Sequence, residues 1–404
     1  MARCEDRSRR SSRVDSGGHL SGAGPNETAG IHLTDPIRRI AINTGGGDAP
    51  GLNAVIRAVV LAAGRRGWEC HGIRDGYNGI LQPERYPAGG VIRLTPDSVR
   101  GIAHLGGTML GSTNKGDPLH FPVRLADGSA GIVDRTGDIV RYFARAGLDA
   151  LIAVGGDGSL TIADALHKKG LPVVGVPKTI DNDLDKTFTT FGFDTAVEFA
   201  TESIDRLHST AESHHRVMVV EVMGRYAGWI ALHAGIAGGA HAILIPEIPF
   251  DIDKVVAKIA SREQRGRMYS IVVVAEGARP RDGRREVLAP AEAGRAERLG
   301  GIGERVAMAL QERTGKEART VVLGHLLRGG SPSAFDRLAA LRFGAAAVRA
   351  LDEGRSGVMV SLAYPNVDYV PLEDVAGRMK AVPLDSDTVQ TARDLGICLG
   401  DSER

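Results

Sequence analysis

From residue 40 onward the chain alternates short apolar runs rich in β-branched residues with stretches of helical periodicity, and glycine often separates the two. Runs that are apolar at every position suit strands covered on both faces, and intervening helices supply the crossovers that parallel neighbours require. The pattern predicts strands at 39–44, 150–154, 172–176, 217–222, 242–245, 270–275, 320–323 and 357–362. Helices are expected at 52–63, 160–168, 195–210, 252–265, 303–313 and 334–350. The stretch 82–137 is poor in periodicity and repeats Gly, Pro and Asp, so loops with one or two short helices are expected there. No self-similar period in the range of about 20–50 residues recurs, which excludes a solenoid.

A chain of 404 residues is long enough for two separate cores. The expected fold is therefore α/β, with two Rossmann-like lobes of mostly parallel sheet covered by helices and the site in the cleft between them. Fifty Lys and Arg against 49 Asp and Glu leave a formal net charge of +1, so no global field attracts nucleic acid and anion binding must be local. No apolar stretch approaches the roughly 20 residues of a membrane span, and the Arg/Ser-rich start lacks the apolar centre of a secretory signal. A soluble, cytoplasmic protein without membrane or nucleic-acid partners is expected. Cys4, Cys70 and Cys398 are too dispersed for a disulfide framework or a zinc site. Residues 1–36 carry few large apolar side chains and read as a disordered tail, with a regulatory segment or a start-codon artefact as the alternatives.

The 53 glycines, close to twice the usual share of about 7%, gather in part at strand ends. Gly45-Gly46-Gly47-Asp48-Ala49-Pro50-Gly51 follows the first strand and opens a helix, either as a phosphate site built from backbone amides or as a structural tight turn. It is neither G-x-G-x-x-G nor a P-loop. Gly155-Gly156-Asp157-Gly158-Ser159 follows the second predicted strand. Ser159 there is either a helix cap or part of a phosphate cradle that holds Asp157 near a divalent cation. Pro177-Lys178-Thr179-Ile180-Asp181-Asn182-Asp183-Leu184 follows the third, with two carboxylates two residues apart. Asx-type turn formation is the bland alternative. Ligands of open α/β sheets bind at the carboxyl ends of strands, where all three segments are expected.

Together these residues resemble the phosphofructokinase family. Seven blocks match in family order: Gly46 to Asn53, Gly106-Gly107-Thr108-Met109-Leu110-Gly111-Ser112, the Gly155 and Lys178 segments, Val220-Glu221-Val222-Met223-Gly224-Arg225, Glu276-Gly277, and Gly324 to Pro332. The resemblance implies glycolytic transfer of a phosphoryl group to the 1-hydroxyl of fructose 6-phosphate. It assigns Asp181 as general base, Thr179 and Arg225 as catalytic partners, and Asp157 and Asp183 to Mg2+. The sugar phosphate would be held by Thr179, Asp181, Arg216, Met223, Gly224, Arg225, Glu276, Arg319, His325 and Arg328. Gly47, Tyr77, Lys115, Gly156, Asp157, Gly158, Ser159 and Lys178 would hold the donor and its Mg2+. Guanidinium forks suit phosphate oxygens. In relatives Arg216 and Arg319 reach a neighbouring subunit's substrate, which implies a homodimer or homotetramer with shared sites. The donor lobe is expected at 37–192 plus about 328–375, and the sugar-phosphate lobe at 193–327 plus about 376–404.

Two positions bear on the donor. Gly158 resembles ATP-using members, since the Asp common in pyrophosphate-dependent relatives would crowd and repel the α-phosphate of a nucleotide. Lys178 resembles the pyrophosphate lineage. Gly158 carries more weight, because some ATP-using relatives also have this Lys, so ATP is the expected donor and pyrophosphate the alternative. Asn114 stands where many relatives have Arg, and Lys115 offers an ammonium in its place but no planar fork. NAD and lipid kinases share a Gly-Gly-Asp-Gly turn but lack the 177–184 and 325–332 blocks as they stand here. A catalytically silent sugar-phosphate or nucleotide sensor is the rival from outside the enzymes.

Overall fold

The computed structural model describes residues 36–124, 128–283, 287–289 and 298–402, so the tail expected at 1–36 lies outside the described residues except for Pro36. The chain begins with β1 (Arg39–Thr44), α1 (Leu52–Gly64), β2 (Glu69–Ile73), a one-turn α2 (Asn78–Leu81) and β3 (Val91–Leu94). It continues through β4 (Phe121–Arg124), β5 (Ala130–Val133), α3 (Thr136–Ala146), β6 (Ala150–Gly155), α4 (Asp157–Lys168) and β7 (Val173–Pro177). Then come α5 (Phe193–His214), β8 (Val217–Val222), α6 (Trp229–Ala237), β9 (Ala242–Leu244), α7 (Ile252–Gln264) and β10 (Ser270–Ala275). The remainder holds β11 (Val287–Ala289), β12 (Arg298–Leu299), α8 (Ile302–Thr314), β13 (Ala318–Val322), a 3-10 turn (Gly324–Arg328), α9 (Ala334–Asp352), β14 (Val358–Ala363), β15 (Asn366–Pro371) and α10 (Asp387–Asp394).

Two sheets carry the architecture. The larger has the order β15-β14-β7-β6-β1-β2-β3, with parallel central strands and antiparallel pairing only at its two edges. The smaller, β13-β8-β10-β9, is parallel throughout. Every position of β6, β8 and β10 is buried, Glu221 and Ser270 included, as their largely apolar runs predict for strands with helices on both faces. Helices α1 and α9 pack on each other over the larger sheet, while α5 and α6 cover the smaller one. Among the described residues no helix is long and apolar enough to cross a membrane.

Some expectations change. The helix expected at 160–168 starts at Asp157, which places Ser159 inside its first turn, and Gly156 occupies the cap position with no side-chain cap. The stretch 82–137 holds β3, the β4–β5 ribbon and the start of α3 besides 3-10 turns, so part of it is extended structure rather than loop. The starts of α5 and α9 are fastened together: the buried Asp336 accepts from the amide of Thr195 at 2.8 Å and from its hydroxyl at 2.6 Å, while Ser333 caps α9 by accepting from the Asp336 amide. That junction fixes the chain just beyond the 3-10 turn.

Candidate active site

Strands β7, β6 and β1 lie side by side, with Thr44 opposite Val154 and Gly155 opposite Pro177. Their carboxyl ends therefore deliver the three segments singled out in the sequence to one sheet edge. Backbone bonds join them: Gly45 N donates to Val154 O at 2.9 Å and Lys178 N to Gly155 O at 3.0 Å. The loop ahead of Asn114 is tied in as well, since Gly46 N donates to Thr113 O at 3.0 Å and Ser112 Oγ to Gly46 O at 2.5 Å. Ser159 fills the space beneath the glycine turns. A Cβ at Gly155 would lie 2.2 Å from that of Ser159, and one at Gly45 would lie 2.7 Å from Ser159 Oγ. Gly158 differs, for it is exposed and a Cβ there would meet nothing within 4 Å.

Lys178 is buried beneath this edge, where its ammonium donates to Gly47 O. Burial, reinforced by the Arg328 guanidinium, pushes its pKa down to about 8, and the carboxylates of Asp48, Asp183 and Asp181 resist that shift. Asp181 follows Thr179, whose hydroxyl accepts from the Asp181 amide at 3.1 Å. Its Oδ1 is shielded from water and has no hydrogen-bond partner. Burial holds the Asp181 carboxyl well above the ordinary range, Asp183 and Glu276 push the same way, and Arg328 and Arg225 oppose them. Asp183 and Asp157 are also raised, in each case mainly by burial, and Asp183 adds repulsion at Asp157. Three partly desolvated carboxylates gathered at one edge favour a positive charge beside them.

The smaller sheet presents its own carboxyl edge. Met223, Gly224 and Arg225 follow β8, Glu276 follows its neighbour β10, and His325 and Arg328 belong to the 3-10 turn after β13 on the other side. Arg328 bridges the two edges: its Nη1 donates to Asp48 O at 3.1 Å. A Cβ at Gly47 would lie 2.8 Å from the same nitrogen, so only a bare backbone allows this approach. Arg225 and Arg328 both lower the Glu276 pKa, which burial raises. The cleft thus alternates carboxylates and guanidiniums from two sheets within electrostatic reach of Asp181.

Other residues fall elsewhere. Arg216 and Arg319 lie at the amino ends of β8 and β13, the opposite edge of the smaller sheet, and both pair with Glu317, Arg216 at 2.6 Å. Within this chain they stand apart from Asp181. Tyr77 is buried among Ile73, Ile80, Leu81 and Phe121, and burial raises its hydroxyl pKa. Met223 is half-buried against the apolar core of the smaller sheet. Lys115 and Asn114 are exposed on the loop beside Gly46, and His325 is exposed on its 3-10 turn.

Sequence reasoning missed the segment 377–382, which runs past the acidic residues. Gly377 N donates to Asp157 Oδ1 at 2.8 Å, and Lys380 N donates to Asp183 O at 2.8 Å. The sequence offered little signal there, since Lys380 follows Arg378 and Met379 and precedes Ala381 and Val382 with no glycine turn or carboxylate pair beside it.

These features define a class: a two-sheet α/β protein whose cleft is laid out for phosphate-bearing ligands. The family model for phosphofructokinase matches residues 39–351. The ATP-dependent 6-phosphofructokinase of Chloroflexus aurantiacus is 53% identical over 364 residues, 90% of this chain and 98% of that one. A pyrophosphate–fructose 6-phosphate 1-phosphotransferase of Amycolatopsis mediterranei is 49% identical over 349 residues, 86% of this chain and 97% of that one. Among solved structures, phosphofructokinase from Saccharomyces cerevisiae superposes with a TM-score of 0.70 at 31% identity, covering 83% of this chain and 45% of that one. The chain belongs to the phosphofructokinase family.

Proposed function

We propose that this cleft transfers the γ-phosphoryl group of ATP to the 1-hydroxyl of fructose 6-phosphate, giving ADP and fructose 1,6-bisphosphate. The observation that carries the reading is Asp181 Oδ1: a buried, unpartnered carboxylate oxygen placed where charges from both sheets meet. In this reading Asp181 takes the hydroxyl proton as the sugar oxygen bonds to the γ-phosphorus and the bond to the β,γ-bridging oxygen breaks. Arg225 and Arg328 favour the ionised form of the base and are placed to meet phosphate charge. Thr179 and Lys178 precede the base on the same loop, and the glycine turns after β1 and β6 lie on the donor side, where the start of α4 favours phosphate charge. Glu276, Met223 and Gly224 line the sugar side.

The residues present fit a magnesium ion. Asp157 and Asp183 carry mutually repelling, partly desolvated charge, and Mg2+ takes one or two carboxylates together with phosphate oxygens. Bound there, Mg2+ supplies charge neutralisation at the phosphates.

Open space at Gly158 supports ATP, and the buried Lys178 ammonium against Gly47 supports the second reading, a pyrophosphate donor. The division of labour we infer is a donor lobe of 37–192 plus about 328–375 and a sugar-phosphate lobe of 193–327 plus about 376–404. Packing of α9 on α1, and the bridge of Cys398 to Ala242, support those returns of the chain. Arg216 and Arg319, on the far edge, suit contact with a neighbouring subunit's sugar phosphate in a homodimer or homotetramer. The test is an assay of the purified protein with fructose 6-phosphate, Mg2+ and either ATP or pyrophosphate. Turnover with ATP at least about tenfold above pyrophosphate is expected, and absence of turnover with both donors removes the reading.

A further inference from the structure

Segment 377–382 touches both sides of the cleft. Towards the larger sheet, Gly377 N meets Asp157 Oδ1, Met379 bridges to Leu184, and Lys380 N meets Asp183 O. The Lys380 ammonium donates to Asn182 Oδ1 at 3.0 Å, Thr187 O at 3.0 Å and Phe188 O at 3.3 Å. Towards the smaller sheet, Lys380 O accepts from Trp229 Nε1 at 3.0 Å, and its ammonium lies 5.5 Å from the Trp229 ring centroid. Val382 N donates to Glu247 Oε1 at 2.8 Å, an oxygen that also accepts from Gly228 N at 3.0 Å, just ahead of α6.

Asn182, between the two aspartates, sits at φ +51°, a conformation side chains seldom adopt. Its buried Oδ1 accepts from Thr190 N at 3.2 Å as well as from Lys380. An ammonium drawn out of water is costly unless its donors are used, and here three acceptors and an indole face use them. The turn that aims Asp181 and Asp183 is therefore held from outside its own strand, by a residue nearly 200 positions away whose backbone is anchored to the sugar-side helix.

We propose that Lys380 is a positioning residue for phosphoryl transfer, clamping the Asp181–Asp183 turn through Asn182 and coupling it to α6 through Trp229. This rests on the phosphoryl-transfer reading of the same cleft. The clamp acts on where the reacting groups stand, so its loss lowers kcat while leaving sugar-phosphate binding in place.

The test uses the full chain with Lys380→Met, Lys380→Arg and Trp229→Phe, read by steady-state kinetics and by hydrogen exchange of the 178–190 peptide without ligands. For Lys380→Met, kcat is expected to fall about 100-fold with KM for fructose 6-phosphate within about threefold. The Thr190 amide should exchange at least about tenfold faster. Lys380→Arg, which keeps charge and donors, is expected to recover most of both losses. Trp229→Phe removes the indole N–H and shrinks the ring facing the ammonium, and is expected to lower kcat about threefold at unchanged KM, so it decides the matter if Lys380→Met does not fold. A kcat within about twofold of wild type in folded Lys380→Met, or unchanged in Trp229→Phe where the methionine variant does not fold, overturns the proposal, as does an arginine variant no better than methionine. A wild-type protein inactive with both donors would sink the phosphoryl-transfer reading instead, and the exchange rates would still judge the clamp.

Discussion

Arg328 and Gly47 meet across the cleft with no room for a methyl group between them: a Cβ at position 47 would stand 2.8 Å from Nη1. Since the obstructing atom ends a flexible side chain, Gly47→Ala is expected to fold with nearly wild-type stability while displacing the guanidinium from Asp48 O. The expected result is a loss of about tenfold or more in kcat/KM, checked by steady-state kinetics alongside thermal unfolding. A large fall in Tm with normal activity per folded molecule would contradict this.

Asp181→Asn keeps the shape of the side chain and removes the base. Turnover should drop by about 100-fold or more, while calorimetry should still register fructose 6-phosphate binding. Because the carboxylate is desolvated and repelled by Asp183 and Glu276, the variant should also be no less stable than wild type in chemical denaturation. Near-normal turnover would remove the assigned role.

Gly158 has free space at its Cβ, so Gly158→Asp should leave the fold intact and act on the donor alone. ATP use is expected to fall by at least about tenfold more than pyrophosphate use, through charge repulsion of the nucleotide phosphates. Equal loss with both donors would place the nucleotide elsewhere.

His241 supplies a pH signature away from the cleft. Its Nδ1 accepts from Ile271 N at 2.9 Å, and burial, with Arg262 adding to it, holds its pKa down to about 3 against an ordinary 6.5. Below about 6.5 the unfolded chain binds a proton that the folded protein refuses until about 3, so stability falls as the pH is lowered through that window. His241→Asn, which has no group titrating there, should show a smaller drop in urea midpoint between pH 7 and pH 5 than the wild type, since the other titrations are common to both proteins. An identical drop would show that His241 takes no part.

The strands that position the site were legible because their burial is complete. The run Val217–Val222 and the run Ser270–Ala275 are apolar but for Glu221 and Ser270, and their bounds emerge unchanged in the structure. By contrast β2, Glu69-Cys70-His71-Gly72-Ile73, mixes polar residues with buried ones beside the sheet edge, and β15 is an edge strand ending in proline, so neither has a clear local signature. The carboxylates and glycine turns were legible because each lies within a few residues of a strand end. Ser159 was not read as packing beneath the glycines, because that space exists only once β1 and β6 pair. Lys380 was invisible for the same reason, as its partners at 182, 187 and 188 become neighbours only after the chain has returned from the smaller sheet.

That return also sets an order of assembly during translation. Strand β7 has its partner β6 on one side, but the other side is completed by β14, which the ribosome makes only after β13, the last strand of the smaller sheet. For roughly 180 residues of synthesis the nascent chain therefore exposes a bare hydrogen-bonding edge beside the loop that carries Asp181 and Asp183. Chaperone protection is most needed in that interval, and a ribosome stall after β13 would strand a half-built sheet with its reactive rim open.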